Sequence, residues 1–439
     1  MQYLNNDFFE MPEYCHSVTD NFKVAVWCIT YNHIRFIEKT IDSFLSQITS
    51  FPYKVVVFDD ASTDGTSDIL RRYMSMYPDI MRVYIAKYNT FQKPERSAVI
   101  KELTEMELNV KYIATCEGDD YWCNNNKLQS QYDFMEFHKD CGLMFHAAIW
   151  KNYKTNEEYE FHPFETSRFI SPEELILKKN GNPSTASTFM RGQVYFYPDD
   201  FPICDVGDIK RQLYGILCGK VYYSDEVMCV YRFMHEGSWT SEVEPMFDKY
   251  IRHAVSMVVF FHNYNEYTDY KFIKPIRHVE IGYLYKLVEW NITYEDFCNA
   301  VLVYIEEQND RTKFIAEEVL RVGNYIKNSD AKIDIIPNKN DAFDRVVIFG
   351  TGTYSEYCTR ILRNSGLIID GYIVSEKRKS NRRKINGLNV WTLDDYPYDV
   401  DTTLLVFGLN QRYEEDILQL VKEKGFINTF SPFWFACVD

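Results

Sequence analysis

The sequence has no pair of cysteines at the spacing of a redox or zinc motif, although it contains 11 cysteines in 439 residues. Their total is odd and several lie in apolar runs, which predicts reduced core thiols of a cytosolic protein rather than a disulfide framework. The chain also lacks an uncharged apolar run of about eighteen residues. Its beginning, MQYLNNDFFEMPEY, has neither a basic region nor an apolar core. We therefore expect a cytoplasmic protein, at most peripheral to the inner face of a membrane.

Positive charge is scarce, with 48 Lys and Arg against 64 Asp and Glu, a formal net charge of −16 and a pI near 5.1. Sequence-independent binding of nucleic acids depends on basic residues that neutralise phosphates, so we expect no nucleic-acid partner. A phosphate bound by this chain should arrive with a metal ion or meet a local basic group. The aromatic fraction of 16% suits a protein with extended clefts, but biased codon usage would give the same figure.

Internal repeats and low-complexity tracts are absent from the sequence, whose length exceeds what one hydrophobic core usually supports. Long amphipathic stretches with few glycines or prolines, such as MFDKYIRHAVSMVVFFHNY and FIAEEVLRVGNYI, predict a helical segment. The polar stretch DAKIDIIPNKNDAFD carries a proline and marks a boundary. After it, RVVIFGTGTYSEYCTRILRNSG restarts a strand, a glycine turn and a helix. We predict domains at residues 1–242, 243–340 (helical) and 341–439 (a smaller α/β unit).

Strands alternate with helices in the first part of the chain. KVAVWCIT, YKVVVFDD, MRVYIAKYN and KYIATC have the composition of strands, and IRFIEKTIDSFLSQ and SDILRRYMSMYP have helical spacing. This alternation predicts an α/β fold with a parallel sheet and helices on both faces. Ligands of such sheets bind at the carboxyl ends of the strands. Three polar loops follow strands at that edge: Tyr31-Asn32, Asp59-Asp60 and Glu117-Gly118-Asp119-Asp120.

The EGDD turn at residues 117–120 is the most informative of these loops. By itself it is typical of a solvated turn. Because Asp59 and Asp60 end a neighbouring strand, the combined carboxylates would repel a phosphate unless a divalent cation bridged them. Mg²⁺ and Mn²⁺ prefer oxygen ligands. The sequence therefore predicts a metal–diphosphate complex as the ligand.

The stretches ITYNHIRFIEKTIDSFLSQ, VVVFDDASTDGTSDIL, YIATCEGDDYW and KLQSQYDFM together resemble glycosyltransferase family 2, the inverting sugar transferases of the GT-A fold. The resemblance covers roughly residues 22–241 and does not reach the C-terminal unit. It implies a GT-A nucleotide-diphospho-sugar transferase domain that uses Mn²⁺ or Mg²⁺. The donor would be a nucleotide diphosphate sugar, with a UDP-sugar favoured. The acceptor would be a hydroxyl of a carbohydrate or glycoprotein, in surface polysaccharide or glycoprotein assembly.

The resemblance also implies roles for individual residues of the donor site. Tyr31 would stack on the nucleotide base, and Asp60, with Asp59 beside it, would read the base edge. Asp119 and Asp120 resemble the metal-binding pair, in which one carboxylate reaches the sugar or ribose and the other the cation. The expected substrate-binding residues are Thr30, Tyr31, Asn32, Asp59, Asp60, Asp119, Trp122 and Arg232, and the expected metal ligands are Asp120 and His235.

A later stretch, DVGDIKRQLYGILCGKVYYSDEVMCVYRFMHEGSW, resembles the second half of the family pattern. By this match Asp208 is the catalytic base that takes the proton from the acceptor hydroxyl. An aspartate there could equally cap a helix that begins at Ile209. His235 resembles a histidine near the metal and diphosphate, whereas a lone histidine is more often structural. Arg232 would either meet a phosphate or pair with an acidic neighbour.

Two segments match the family only loosely or by position. KYNTFQKPERSAVIKEL is a loose match, so Lys93, Arg96 and Lys101 are only candidate phosphate contacts. GNPSTASTFMR should by position face the acceptor, and its small polar residues fit many acceptors.

The C-terminal turn FGTGTYSEY nearly matches the dinucleotide-binding fingerprint, but Ser355 occupies the third glycine position. Glu376 follows the next strand, where a ribose-binding acid would lie. The segment resembles Rossmann-like appendages of polysaccharide-synthesis enzymes, and a structural role or contact with a protein or membrane partner is favoured over cofactor binding. The alternatives for the whole chain are a sugar-nucleotide-binding scaffold and a sugar-nucleotide-processing enzyme that uses this unit.

Overall fold

The computed structural model divides into two compact units, residues 1–246 and 247–439. Among the described residues no helix is both long and apolar enough to cross a membrane. The residues that the structure describes are 8–10, 21–91, 93, 96–177, 182–204, 206–242, 247–276, 279–280, 283, 343–351, 353–364, 366–375, 384–385, 387–409 and 414–430.

The first unit is built on one large sheet. Its described strands are β1 (Phe9–Glu10), β2 (Val24–Thr30), β3 (Tyr53–Asp59), β4 (Met81–Ala86), β5 (Tyr112–Thr115), β6 (Tyr121–Trp122), β7 (Cys141–Asn152), β8 (Glu158–Phe161), β9 (Arg168–Ile170), β10 (Phe189–Arg191) and β11 (Lys220–Phe233). Their order across the sheet is β1-β4-β3-β2-β5-β10-β7-β11-β6, while β8 pairs with β7 and β9 with β11. The described helices are α1 (Ile37–Leu45), α2 (Thr66–Met76), α3 (Arg96–Glu107), α4 (Lys127–Phe137), α5 (Pro172–Leu177), α6 (Gly192–Tyr195), α7 (Gly207–Cys218) and α8 (Trp239–Glu242).

Strands β4, β3, β2 and β5 run parallel, as the alternation of strands and helices predicts. Alternate residues of β2 enter different layers of the core, because side chains alternate across a strand. Val24 and Val26 belong to a cluster that includes Ile37 of α1, whereas Ala25 belongs to a second cluster that includes Val99 of α3. The sheet is therefore covered on both faces, and the predicted α/β fold is confirmed.

The second half of the sheet mixes strand directions. β10 is antiparallel to both β5 and β7, β11 is parallel to β7, and β6 is antiparallel to β11. The last pairing places Tyr121 opposite Val230, which brings the EGDD turn beside the end of β11.

The stretch STASTFMR, part of the segment expected to face the acceptor, forms a short helical turn followed by a short strand. Thr185–Ser187 form a 3-10 helix, and β10 is limited to Phe189–Arg191. The hydroxyls of Ser187 and Thr188 donate to the carbonyls of Ser184 and Thr185, so short polar side chains close a turn in place of a strand.

The described cysteines are all free thiols. Cys28, Cys116, Cys141 and Cys229 are buried in the first unit, and Cys358 in the second, whereas Cys123 is exposed.

The second unit contains a smaller sheet, as predicted. Its described strands and helices are α9 (Phe247–Tyr267), β12 (Arg345–Phe349), α10 (Thr353–Asn364), β13 (Gly371–Val374), β14 (Lys384–Ile385), β15 (Leu388–Thr392), β16 (Thr403–Phe407), α11 (Glu414–Glu423) and β17 (Thr429–Phe430). The strand order is β14-β15-β13-β12-β16-β17, and every pair except β14–β15 is parallel. FIAEEVLRVGNYI, Glu376 and most of DAKIDIIPNKNDAFD lie outside the described residues.

Candidate functional site

The parallel strands bring three of the predicted loops to one edge of the sheet. Thr30, the last residue of β2, is in register with Asp59 at the end of β3. The Asp60 N–H donates to the Thr30 carbonyl at 3.0 Å, and the Gly118 N–H donates to the Ile29 carbonyl at 2.9 Å. The loops after β2, β3 and β5 are thus tied together by the backbone.

Gly118 lies against the loop after β2 with no room for a side chain. A Cβ atom at this position would lie 2.3 Å from Thr30 Oγ1 and 2.8 Å from His33 Nδ1. Gly118 is not among the glycines with positive φ. Close packing therefore requires glycine here, whereas the sequence suggested only a tight turn.

Asp119 lies between two histidines. Its Oδ2 is 3.0 Å from His235 Nε2 and 3.8 Å from His33 Nε2. His33 was not predicted as a site residue, although it follows Tyr31 in the same loop. Burial opposes ionisation of Asp119, but the two histidines outweigh it, so the pKa of this carboxyl lies below its usual range. Asp119 is therefore an anion here.

His235 is held in one orientation. Its Nδ1 lies 2.9 Å from the Glu236 carbonyl, which can only accept, so Nδ1 carries a proton. Nε2 faces Asp119 Oδ2, which is also an acceptor. Burial opposes the charge, yet the hydrogen bond to Asp119 raises the pKa of His235. The two facing atoms therefore share either a proton or a cation.

Asp120 is fully buried, and one of its oxygens has no partner. Its Oδ1 accepts a hydrogen bond of 2.7 Å from the Arg232 backbone N–H. Its Oδ2 is buried without any hydrogen bond among the described residues. Burial first, and the charge of Asp119 second, raise the pKa of Asp120 well above its ordinary value. A buried oxygen of this kind fits a cation ligand better than a solvated turn.

Arg232 holds the EGDD turn from its own strand. Its Nη1 donates to the Asp119 carbonyl at 2.5 Å, and its guanidinium lies 4.5 Å from the Tyr121 ring centre and 5.0 Å from that of Phe36. These contacts are to a backbone carbonyl and to two rings, and the expected contact of Arg232 with a phosphate stays a prediction.

The carboxylates of Glu117, Asp119 and Asp120 form a cluster with the chemistry of a hard-cation site. One ligand oxygen from each lies within 4.8 Å of the others. Desolvation first, and then the charges of Asp119 and Asp208, raise the pKa of Glu117, although part of this side chain is open to solvent. The raised pKa values of Glu117 and Asp120 show that their ionised forms lack a compensating positive partner among the described residues, which Mg²⁺ or Mn²⁺ would supply. The residues present therefore fit the expected metal.

Asp59 and Asp60 are buried, and their oxygens already have partners. Asp59 accepts hydrogen bonds from Ser62 and Ser67, which shape the loop before α2. Asp60 Oδ1 accepts from the Thr90 N–H and hydroxyl, each at 2.7 Å, and Oδ2 pairs with Arg96. Of the candidate phosphate contacts, Arg96 thus borders the site, whereas Lys101 pairs with Asp199.

The loop after β2 combines an exposed ring with a fixed backbone. Tyr31 is 42% exposed, which leaves its ring free to stack. Asn32 has a positive φ of 55°. Its Oδ1 accepts from the Thr63 N–H at 2.8 Å, and its N–H donates to the Ser62 hydroxyl at 2.8 Å. Asn32 therefore joins this loop to the one after β3.

Trp122 does not line the site as predicted. Its side chain is buried, packs 4.6 Å from the Phe44 ring centre and donates from Nε1 to the Ala186 carbonyl at 3.0 Å. The amino group of the buried Lys127 lies 4.2 Å from its ring centre. The indole therefore supports the EGDD turn from within the core, and the expected contact with substrate is corrected.

Asp208 lies in the first turn of α7, which begins at Gly207 rather than at Ile209. Its Oδ1 accepts a hydrogen bond of 2.8 Å from the Ile209 N–H, and its Oδ2 accepts one of 3.1 Å from Asn182 Nδ2. The Oδ1 of Asn182 is buried and has no partner among the described residues. Asp208 is therefore the second residue of α7 rather than its N-cap, and its Oδ2 is oriented by the segment expected to face the acceptor.

Residues 26–194 match the model of the glycosyl transferase family 2. With the strand order, the match confirms the expected GT-A fold. An uncharacterized protein of Mycobacterium tuberculosis, Rv1520, is 30% identical over 220 residues, which cover 50% of this chain and 61% of that protein. TuaG of Bacillus subtilis, named as a teichuronic acid biosynthesis glycosyltransferase, is 34% identical over 128 residues, covering 28% of this chain and 47% of TuaG. The chain thus spans less than two thirds of either relative.

Solved structures of low similarity were also found. TarS of S. aureus in complex with UDP-GlcNAc has a TM-score of 0.42 and is 17% identical to this chain. The matched region covers 69% of this chain and 87% of the TarS chain. The mannosyltransferase PcManGT of Pyrobaculum calidifontis, in complex with GDP-Man and Mn2+, has a TM-score of 0.40 and is 13% identical to this chain. The matched region covers 67% of this chain and 78% of the PcManGT chain.

Proposed function

We propose that the protein is a metal-dependent, inverting glycosyltransferase that moves a sugar from a nucleotide diphosphate sugar to an acceptor hydroxyl. The observation that carries this proposal is the carboxylate cluster of Glu117, Asp119 and Asp120, which lies beside His235 at the edge of a family 2 domain.

Asp119 and His235, with the unpartnered Oδ2 of Asp120, would hold the cation. This assignment keeps the expected ligands Asp120 and His235 and adds Asp119, because its Oδ2 is the oxygen that faces His235 Nε2 at 3.0 Å. Glu117 is close enough to contribute through its exposed carboxylate. When bound, Mn²⁺ or Mg²⁺ would neutralise charge that develops on the leaving diphosphate.

The donor base would stack on the exposed ring of Tyr31, beside Thr30 and Asn32. Recognition of the base edge by Asp60 requires the Arg96 side chain to give way, because both oxygens of Asp60 are already engaged. The preference for a UDP-sugar therefore rests on the sequence resemblance alone.

Asp208 would accept the proton of the attacking hydroxyl. Its Oδ2 accepts a hydrogen bond from Asn182, and its Oδ1 accepts one from the Ile209 N–H of α7. The negative charge of Asp208 is one of the causes that raise the pKa of Glu117. A base and a leaving group on opposite sides of the sugar carbon give a single displacement with inversion.

The name of TuaG supports a role in surface polysaccharide assembly, with a carbohydrate or glycoprotein as acceptor. The second unit would then contact a protein partner or the inner face of a membrane.

The proposal is tested with a panel of UDP-, GDP- and dTDP-sugars, by measuring the release of nucleoside diphosphate. Release should depend on Mn²⁺ or Mg²⁺, stop with a chelator and fall by about 100-fold or more in Asp119→Asn. Asp133→Asn, a carboxylate on the surface of α4, is the matched control and should behave as wild type. No release from any donor would contradict the proposal and favour the scaffold.

A further inference from the structure

Three adjacent strands of the first unit place aromatic residues side by side. Trp150 of β7 is in register with Tyr159 of β8 and with Tyr231 of β11. Directly opposed residues of neighbouring strands project from the same face of a sheet. Phe161 and Phe233 lie two positions along β8 and β11 and share this face. We call these five residues, Trp150, Tyr159, Phe161, Tyr231 and Phe233, the aromatic platform.

The platform is a continuous set of ring contacts centred on Trp150. The ring centres of Phe161, Tyr231 and Phe233 lie 4.4, 5.3 and 5.6 Å from that of Trp150. The rings of Tyr231 and Phe233 are almost parallel, at an angle of 6° and 5.9 Å apart. None of the five is fully buried, and Tyr159 is 48% exposed.

One polar atom of the platform lacks a partner. The Trp150 Nε1–H is buried and makes no hydrogen bond among the residues that the structure describes. A buried donor without a partner costs about 1–3 kcal/mol, and buried tryptophans usually have one. A ligand that lies on the rings and offers a hydroxyl oxygen would satisfy it.

The platform adjoins the candidate reaction centre. Arg232 lies between Tyr231 and Phe233 on β11, and its backbone N–H binds Asp120. Burial, followed by the charges of Asp120, Glu117, Asp119 and Asp208, raises the pKa of the Tyr231 phenol. Tyr121 of β6 lies opposite Val230, so the next pair along this antiparallel register places Tyr231 beside Asp120.

We propose that the aromatic platform is the acceptor subsite and binds the pyranose ring of a carbohydrate. This inference rests on the proposed function. A pyranose has an apolar C–H face that packs on aromatic rings and a rim of hydroxyls that can accept the Trp150 N–H, and ligand sites commonly combine aromatic walls with a few polar groups. An acyclic polyol has no such flat face, and a lipid chain has no oxygen for the indole.

The test is saturation-transfer NMR of the full chain with UDP and Mg²⁺. The probes are the methyl β-pyranosides of glucose, galactose, mannose and N-acetylglucosamine, with ribitol as the acyclic control. The variants are Trp150→Phe, which keeps a ring but removes the N–H, and Tyr159→Ala, which removes an exposed ring. Tyr77→Ala, a tyrosine of similar exposure (39%) after α2, is the matched control.

At least one pyranoside should receive saturation from the wild-type protein while ribitol does not. This signal should fall by about fivefold in Trp150→Phe and Tyr159→Ala and stay unchanged in Tyr77→Ala. Equal signals from ribitol, or wild-type signals from Tyr159→Ala, would overturn the subsite even if Trp150→Phe failed to fold. Nucleoside diphosphate release by the wild type is measured in the same samples. Release without pyranoside contact overturns the subsite alone, whereas pyranoside contact without release from any donor contradicts the proposed function.

Discussion

Gly118 packs so closely against the loop after β2 that a side chain at this position would not fit. We expect Gly118→Ala to push the EGDD turn away from Thr30 and His33, because the new Cβ would lie 2.3 and 2.8 Å from their side chains. The free energy of unfolding should fall by about 1–3 kcal/mol, the usual cost of overpacking, and metal-dependent donor cleavage should be lost. Urea unfolding and nucleoside diphosphate release measure the two effects.

The control for this variant is Gly237→Ala, which has a positive φ of 82° but no atom within 4 Å of the added carbon. It should lose only about 1 kcal/mol through backbone strain. An equal loss in both variants would show that space at Gly118 is not the reason for glycine there.

Asp208 has two contacts, and substitution by asparagine separates its two interpretations. Asp208→Asn retains an oxygen for the Ile209 N–H, so the start of α7 and the stability of the protein should change little. It loses the basicity needed to deprotonate an acceptor, so transfer should fall by about 100-fold or more while UDP binding persists. Turnover with acceptor and UDP affinity by calorimetry test this. Near-normal turnover would leave Asp208 as a structural residue.

Lys127 is fully buried in the core beneath the EGDD turn. Burial lowers its pKa from 10.5 to about 8. Between these values the unfolded chain binds the proton and the native protein does not, so stability should rise with pH there relative to a chain without this group. Below about pH 7 the lysine is charged in both states and the effect is flat.

The comparison is therefore between wild type and Lys127→Met across pH. The difference in free energy of unfolding should move in favour of wild type by up to about 1.4 kcal/mol per pH unit above pH 8. Denaturant melts at several pH values measure it, and parallel profiles for the two proteins would contradict the assignment.

At the scale of secondary-structure elements, the sequence predicted the strands that are continuous apolar runs followed by polar residues. β2, at Val24–Thr30, lies within the predicted stretch KVAVWCIT and lacks only its first residue. β6 and β10 span two and three residues, too short for a periodic pattern, and each is held by distant strands. Trp122 was misassigned for the same reason, because its partners are supplied by the fold. The contact of His33 with Asp119 is likewise made only in the folded chain.

Lys54 and Glu107 connect β3 to α3 through a buried ion pair, in which Lys54 Nζ lies 3.0 Å from Glu107 Oε2. Removing one partner leaves the other charge buried, so Lys54→Met should lower the free energy of unfolding by about 3 kcal/mol. The double variant Lys54→Met/Glu107→Met should lose less than the sum of the single variants, since no buried charge remains. Chemical denaturation of the four proteins completes this cycle, and simple additivity would contradict coupling.

At the scale of the whole molecule, nucleotide and metal together should stabilise the first unit. UDP with Mn²⁺ should raise the unfolding midpoint of the first unit, by an amount that corresponds to about 2.7 kcal/mol at 100 times the dissociation constant. UDP alone should act weakly, because the carboxylate cluster repels its phosphates when no cation is present. Calorimetric melts measure the shift, and Asp119→Asn should lose it.

The same melts, repeated with NADH, test whether the second unit binds a nicotinamide cofactor. Gly350 directly follows β12, where the strand order reverses. It leaves little space, since a Cβ there would lie 2.8 Å from the Gly408 carbonyl. Ser355, at the third glycine position, donates to that same carbonyl at 3.0 Å and joins α10 to the end of β16. Because this contact fills the position where a dinucleotide fingerprint needs glycine, NADH should not shift the melt. A shift with NADH that survives in Asp119→Asn would instead assign cofactor binding to the second unit.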